Sequence, residues 1–147
     1  MTSDHLTRDH LAKDHLTIRP RTTRLPDQRG GNKLQSIELA RKIVNAIADK
    51  KGSDIILLDL RSISLLADYF VICSGESERQ VKAIVDEITE KIKEEGIRPL
   101  HIEGDPSSGW MLMDYGGIIV HVFAPVMRGY YQLEKLWSDA TVVVKMQ

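Results

Sequence analysis

Trp110-Met111-Leu112-Met113-Asp114-Tyr115-Gly116-Gly117-Ile118-Ile119-Val120-His121-Val122-Phe123 decides the fold. Two apolar runs joined by a Gly-Gly pair predict a β-hairpin with a two-residue loop. Such a loop pairs Tyr115 with Ile118, Asp114 with Ile119, Leu112 with His121, and Trp110 with Phe123. One face then carries Trp110, Leu112, Asp114, Ile119, His121 and Phe123. The other carries Met111, Met113, Tyr115, Ile118, Val120 and Val122, nearly all apolar, and belongs on a core. The first face mixes two ionisable groups with large apolar ones, so it meets either a second layer or a partner. Trp110 follows the loop 104–109 at a strand end. Either it fills the core or it anchors an interface.

Working outward, the hairpin sits in an α/β pattern. A helix is expected from about Leu34 to Lys51, with Ile37, Ala40, Val44 and Ile47 as its apolar stripe and Gly52 as its stop. Ile55 to Leu60 and Tyr69 to Cys73 read as buried strands. Ser77 and Gln80 make a capping-box signature, and Val81, Ile84, Val85, Ile88 and Ile92 follow at helical spacing up to Gly96. Leu100 to Ile102 is a short strand, and strand–helix–strand implies a right-handed parallel unit. A last helix should start near Pro125 and bury Val126, Tyr130, Leu133 and Trp137. Arg128, Tyr131, Glu134 and Lys135 lie off that stripe, either as a solvated face or as an extension of the hairpin surface. Gly129 in a helix costs about 1 kcal/mol relative to Ala, so it signals close packing or a later helix start. Thr141 to Lys145 adds an edge strand. The sum is a small mixed β-sheet packed with helices.

The chain of 147 residues fits one domain. Residues 1–32 read as a flexible extension, and residues 33–147 as the domain. The extension repeats Asp4-His5-Leu6, Asp9-His10-Leu11 and Asp14-His15-Leu16. A five-residue step turns a helix by about 140°, so the three histidines share no face and make no metal site. The extension holds six basic and four acidic residues, and residues 33–147 hold 14 and 17. A net acidic domain is the wrong bias for direct nucleic-acid binding and the right one for a basic protein partner. Cys73 is the single cysteine, which excludes an intrachain disulfide and suits a reducing compartment. No apolar run reaches bilayer length. The expected location is the cytoplasm.

Catalytic constellations are missing. Cys73 with His121 would be a nucleophile–base pair, but Cys73 sits in a hydrophobic strand without an electropositive setting. Asp114 and His121 share a face, yet no serine or threonine completes a triad. Asp54 and Asp59, five apart, fall on opposite faces of a strand, so they offer no two-metal pair. Gly75-Glu76-Ser77 is too short and acidic for a phosphate loop.

Several strings then fall into a familiar order. Ala67-Asp68-Tyr69-Phe70-Val71-Ile72 precedes Ser77, Arg79, Gln80 and Val81. Glu103-Gly104, Trp110, Asp114, Val120-His121-Val122-Phe123, Arg128, Tyr131, Leu133-Glu134 and Leu136-Trp137 follow. From roughly Leu34 to Ala140 this resembles the ribosomal silencing factor, or Iojap, family. Gly117 stands where that family often has an acidic residue. The resemblance implies a nucleotidyltransferase-like fold without the catalytic carboxylates, no cofactor, and often a homodimer. It implies binding to the large ribosomal subunit through its fourteenth ribosomal protein, blocked joining of the small subunit, and repressed translation when nutrients run short. The expected gripping surface is Trp110, Asp114 and His121, extended by Arg128, Tyr131 and Glu134. Tyr131 and Glu134 face either the ribosome or a second copy. Two other readings are a nucleotidyltransferase-like enzyme acting on nucleotides, which predicts metal-dependent nucleotide binding, and a plain dimerisation module.

Overall fold

The computed structural model describes residues 36–147. The five-residue repeat, the rest of the extension 1–32 and its boundary with the domain lie outside the described residues. Helix α1 (Ser36–Asp49) is followed by strands β1 (Ser53–Asp59) and β2 (Tyr69–Ser74). Helix α2 (Glu78–Lys93) leads to β3 (His101–Glu103), a 3-10 turn at Pro106–Ser108, β4 (Trp110–Asp114) and β5 (Ile118–Phe123). Short helices α3 (Pro125–Tyr131) and α4 (Leu133–Leu136) precede β6 (Thr141–Met146).

The six strands form one mixed sheet in the order β3-β4-β5-β2-β1-β6. The parallel contact lies between β2 and β5, with Tyr69 opposite Ile118 and Ser74 opposite Phe123. The expected parallel unit is therefore rearranged. β3 runs in the same sense as β2, but β5 and β4 lie between them, because the hairpin folds back into the gap. The hairpin register itself is the expected one: Trp110 faces Phe123, Leu112 faces His121, and Asp114 faces Ile119. Gly116 takes φ +94° in the loop, a conformation glycine reaches without a Cβ clash. Asp114 Oδ1 accepts the Gly116 N–H at 2.7 Å and braces the turn. The Gly117 carbonyl accepts the N–H groups of Asp68 and Tyr69, which ties the hairpin to the start of β2.

Period-two alternation gives the sheet two buried faces. The first carries Ile55, Leu57, Tyr69, Val71, Cys73, Met113, Val120 and Val122, packed under α1 and α2. The helix α2 buries Val81, Ile84, Val85, Ile88 and Ile92, the stripe expected from spacing. Its cap departs slightly from the capping box. Ser77 Oγ accepts the Gln80 N–H at 3.1 Å, but Gln80 Oε1 accepts from Glu76 N rather than from the cap residue. Gln80 Nε2 meanwhile donates to the Lys50 and Lys51 carbonyls and fastens the end of α1. At that end Lys51, not Gly52, takes the left-handed conformation.

The second face carries Leu58, Phe70, Ile72, Trp110, Leu112, Ile119 and Phe123 under α3, α4 and the 60–68 loop. Here the expected helix stripe holds at Leu133 and Trp137, which pack on this core, and fails in the turn before them. Val126 and Tyr130 are exposed, whereas Arg128 and Tyr131 are buried. Gln132 takes φ +48°, breaking one expected helix into α3 and α4 and resetting the phase between them. A stripe counted from Leu133 backward thus points the wrong way on α3. Gly129 lies inside α3, and a Cβ there would meet nothing within 4 Å, so neither expected reason for it holds.

Candidate functional site

The second face of the hairpin is an aromatic pile. Trp110 stacks on Phe123 with ring centres 5.0 Å apart and leans on Tyr131 at 4.4 Å. Phe70 meets His121 edge-on at 4.7 Å and Trp137 edge-on at 5.3 Å. Trp110 Nε1 donates to His121 Nδ1 at 3.2 Å. An indole N–H can only donate, so this bond requires the lone pair on Nδ1 and fixes the ring's orientation. Such offset and edge contacts add directional preference to plain area burial.

The loop 104–109 delivers Trp110 to this pile. Gly104 has φ +87°, and a Cβ there would sit 2.2 Å from the Trp110 carbonyl oxygen, so only glycine lets the loop lie this close. Asp105 Oδ1 accepts from Ser107 N at 2.9 Å and Ser108 N at 3.1 Å, capping the short turn. The Ser107 hydroxyl and N–H hold the Asp105 carboxyl below its ordinary range. Between this loop, β4 and α3 lies a cleft of about 240 Å³ lined by Glu103, Gly104, Ser108, Trp110, Leu112, Met127 and Tyr131. Tyr130, 46% exposed, sets its ring edge-on to Tyr131 at 5.0 Å and carries the aromatic surface outward.

Burial corrects the expected gripping surface. Asp114 and His121 are 0% and 1% exposed, enclosed in the second core, and cannot touch a partner in this conformation. Trp110 and Tyr131 keep 9% each, at the cleft wall. Arg128 and Glu134 turn toward each other: Arg128 Nε and Nη2 donate to Glu134 Oε2 at 2.9 and 2.7 Å. Arg128 Nη1 donates to Ser74 Oγ at 3.0 Å and to the Asp54 carbonyl. One guanidinium thereby clamps α3 and α4 to the ends of β1 and β2. These groups line a second cleft of about 450 Å³ together with Asp54, Ile56, Ser74, Lys145 and Met146. Sequence reasoning missed Glu103 and Met127 as cleft residues and the clamp role of Arg128. Glu103-Gly104 was visible as a string, but nothing in it showed that the loop closes over Trp110.

The chemistry considered for catalysis is separated by the sheet. Cys73 belongs to the first core and His121 to the second. Burial pushes the Cys73 thiol up to about 12, against a weaker downward pull from Arg128. Asp59 is bound to Arg61, whose Nη2 donates at 2.8 Å, and that hydrogen bond holds its carboxyl below the usual value. Among the described residues, no group of three His, Cys, Asp or Glu side chains is arranged to hold a metal, and no helix is long and apolar enough to cross a membrane.

A mixed sheet flanked by helices, with an aromatic cleft beside one edge, defines a small α/β domain. The chain belongs to the ribosomal silencing factor family: the family model "Ribosomal silencing factor during starvation" matches residues 33–147. The ribosomal silencing factor of Halalkalibacterium halodurans is 46% identical over 106 residues, covering 72% of this chain and 91% of that protein. A crystal structure from Chromobacterium violaceum superposes with a TM-score of 0.69 at 35% identity, covering 76% of this chain and 94% of that one. A mouse relative named "Mitochondrial assembly of ribosomal large subunit protein 1" is 31% identical over 99 residues, covering 65% of this chain and 43% of that protein. Members of the family are described as silencing factors of the ribosome rather than as enzymes.

Proposed function

We propose that this protein silences ribosomes by binding the large subunit through its fourteenth ribosomal protein and sterically blocking the small subunit. It would repress translation under nutrient limitation and act in the cytoplasm. The observation that carries the reading is the cleft walled by Trp110 and Tyr131, with Glu103 at its rim and Tyr130 beside it. Aromatic anchors next to a carboxylate suit a basic protein surface. The acid excess of residues 33–147, 17 against 14, points the same way. The mouse relative's name supports the large subunit as the target. In this reading Trp110 and Tyr131 are the contact residues. Asp114, His121, Arg128 and Glu134 act behind them, holding the hairpin turn, the indole and the α3–α4 elbow in place.

The test uses residues that can change without opening the core. Tyr130→Ala and Glu103→Lys should each weaken co-sedimentation with isolated large subunits by tenfold or more, the range of an interface hot spot. Both should lose inhibition of subunit joining in parallel. Wild-type inhibition by both variants would move the site elsewhere. A wild-type protein that never co-sediments with large subunits would remove the function itself.

A further inference from the structure

The parallel strands β2 and β5 end side by side. Ser74 closes β2, Phe123 closes β5, and Pro125 then opens α3. The cleft of about 450 Å³ is lined by Ser74 and Pro125 and so lies beyond those ends. In open α/β sheets, ligands bind in crevices outside the carboxyl ends of the strands. The volume falls within the roughly 300–1,000 Å³ typical of small-molecule sites. This cleft shares α3 with the Trp110 cleft but no lining residue, so the two are separate sites.

Its lining offers donors and acceptors together. Ser74 and Arg128 are buried and form its fixed wall. Arg128 spends Nε and one Nη2 N–H on Glu134, and Nη1 on Ser74 Oγ and the Asp54 carbonyl. A guanidinium has five N–H donors, so one on Nη2 remains. Ser74 Oγ accepts from Arg128 and keeps its own proton to donate. Lys145 is exposed at the rim, and its ammonium has no ion-pair partner among the described residues.

Acceptors stand beside these donors. Asp54 takes φ +48°, and its carbonyl is committed to Arg128. Its carboxylate has no partner among the described residues. Glu134 holds Arg128 through Oε2 alone, which leaves Oε1 to accept. Asp54 and Lys145 thus line one cleft without pairing with each other. Ile56 and Met146 add an apolar floor.

We propose that this cleft binds a free α-amino acid with an aliphatic side chain. Its carboxylate takes the Lys145 ammonium, the Ser74 hydroxyl and the remaining Arg128 N–H. Its ammonium takes the Asp54 carboxylate and Glu134 Oε1, and its side chain covers Ile56 and Met146. Two positive side chains, Arg128 and Lys145, face two negative ones, Asp54 and Glu134. Unpaired charges of both signs in a balanced cleft fit a zwitterion, whereas a nucleotide's phosphates would meet both carboxylates. The proposal stands apart from the ribosome reading and is tested without ribosomes.

The test is an amide NMR titration of the full chain with L-leucine. Saturable shifts at millimolar concentrations or below should appear at Asp54, Ser74, Arg128 and Lys145, with Glu103 and Trp110 unmoved. L-leucinamide lacks the carboxylate and 4-methylpentanoate lacks the ammonium, so each should bind roughly tenfold more weakly. Asp54→Asn keeps a side chain that tolerates the left-handed backbone, and Lys145→Gln changes an exposed position. Each variant should weaken L-leucine roughly tenfold with an unchanged unfolding midpoint. A wild-type chain without saturable shifts overturns the proposal. So do analogues that bind as well as L-leucine, or folded variants that bind it as the wild type does. Inorganic phosphate binding more tightly than L-leucine would make this an anion site and overturn it as well.

Discussion

The two faces of this sheet come from the same strands and differ in kind. Under α1 and α2 the packing is aliphatic, with Cys73 and Tyr69 as its most polar members in the strands. Under α3 and α4 the packing is aromatic and contains His121, Asp114 and the Arg128 clamp. Aliphatic packing tolerates exchange as long as volume is kept. An aromatic pile held by an indole–imidazole hydrogen bond does not, because donors, acceptors and ring edges must stay aimed. The first face makes the domain stable, and the second also shapes the cleft beside it.

Gross truncation should not separate the faces. Trp110→Ala should cost about 3–5 kcal/mol and Ile88→Ala about 2–5 kcal/mol, read as shifts in denaturant midpoint. Trp110→Ala is consequently a poor probe of binding. Conservative changes should separate them. Ile88→Val should cost about 0.5–1.5 kcal/mol. Trp110→Phe should cost about 1–3 kcal/mol, because it strands the buried His121 Nδ1 acceptor. If Trp110→Phe is neutral, the directional character of the second face is lost as an explanation.

Alkali should act on the first face. Burial raises Cys73 from 9.0 to about 12, and burial, partly offset by Thr89, raises Tyr115 from 10.0 to about 12. Above pH 9 the unfolded chain binds fewer protons than the folded one, so stability falls with pH. The contribution of these groups should be complete below about pH 9 and decline toward about pH 12. Cys73→Ala should flatten the lower part of that decline in a series of unfolding curves. An unchanged slope would mean that the thiol does not titrate as buried. The smallest effect belongs to the outside of α3. Gly129→Ala meets open space and should stabilise the domain by up to about 1 kcal/mol in thermal unfolding.

The strands of the hairpin were readable because period two is rigid. Once Gly116-Gly117 sets the loop, every pair from Trp110–Phe123 to Asp114–Ile119 follows. The helix α2 was readable for the same reason at its own period, down to its five buried residues. The elbow at Gln132 was not. Nothing in Tyr131-Gln132-Leu133 announces a left-handed residue, and one such residue rotated the whole of α3 relative to the expected stripe. The site inherited that error, with Arg128 and Tyr131 expected outside and found inside.

By itself the sequence determined the strand segments, the first two helices, the hairpin register, the aliphatic face and membership of a family. These rest on local periodicity and on the order of residues along the chain. Tertiary structure decided that β5 and β4 lie between β2 and β3, that the polar hairpin face is roofed by the chain's own α3 and α4, and that Trp110 looks into a cleft rather than into solvent. Alternation tells how many faces a strand has to cover. It cannot tell whether the cover comes from the same chain or from a partner, because both remove the same apolar surface from water.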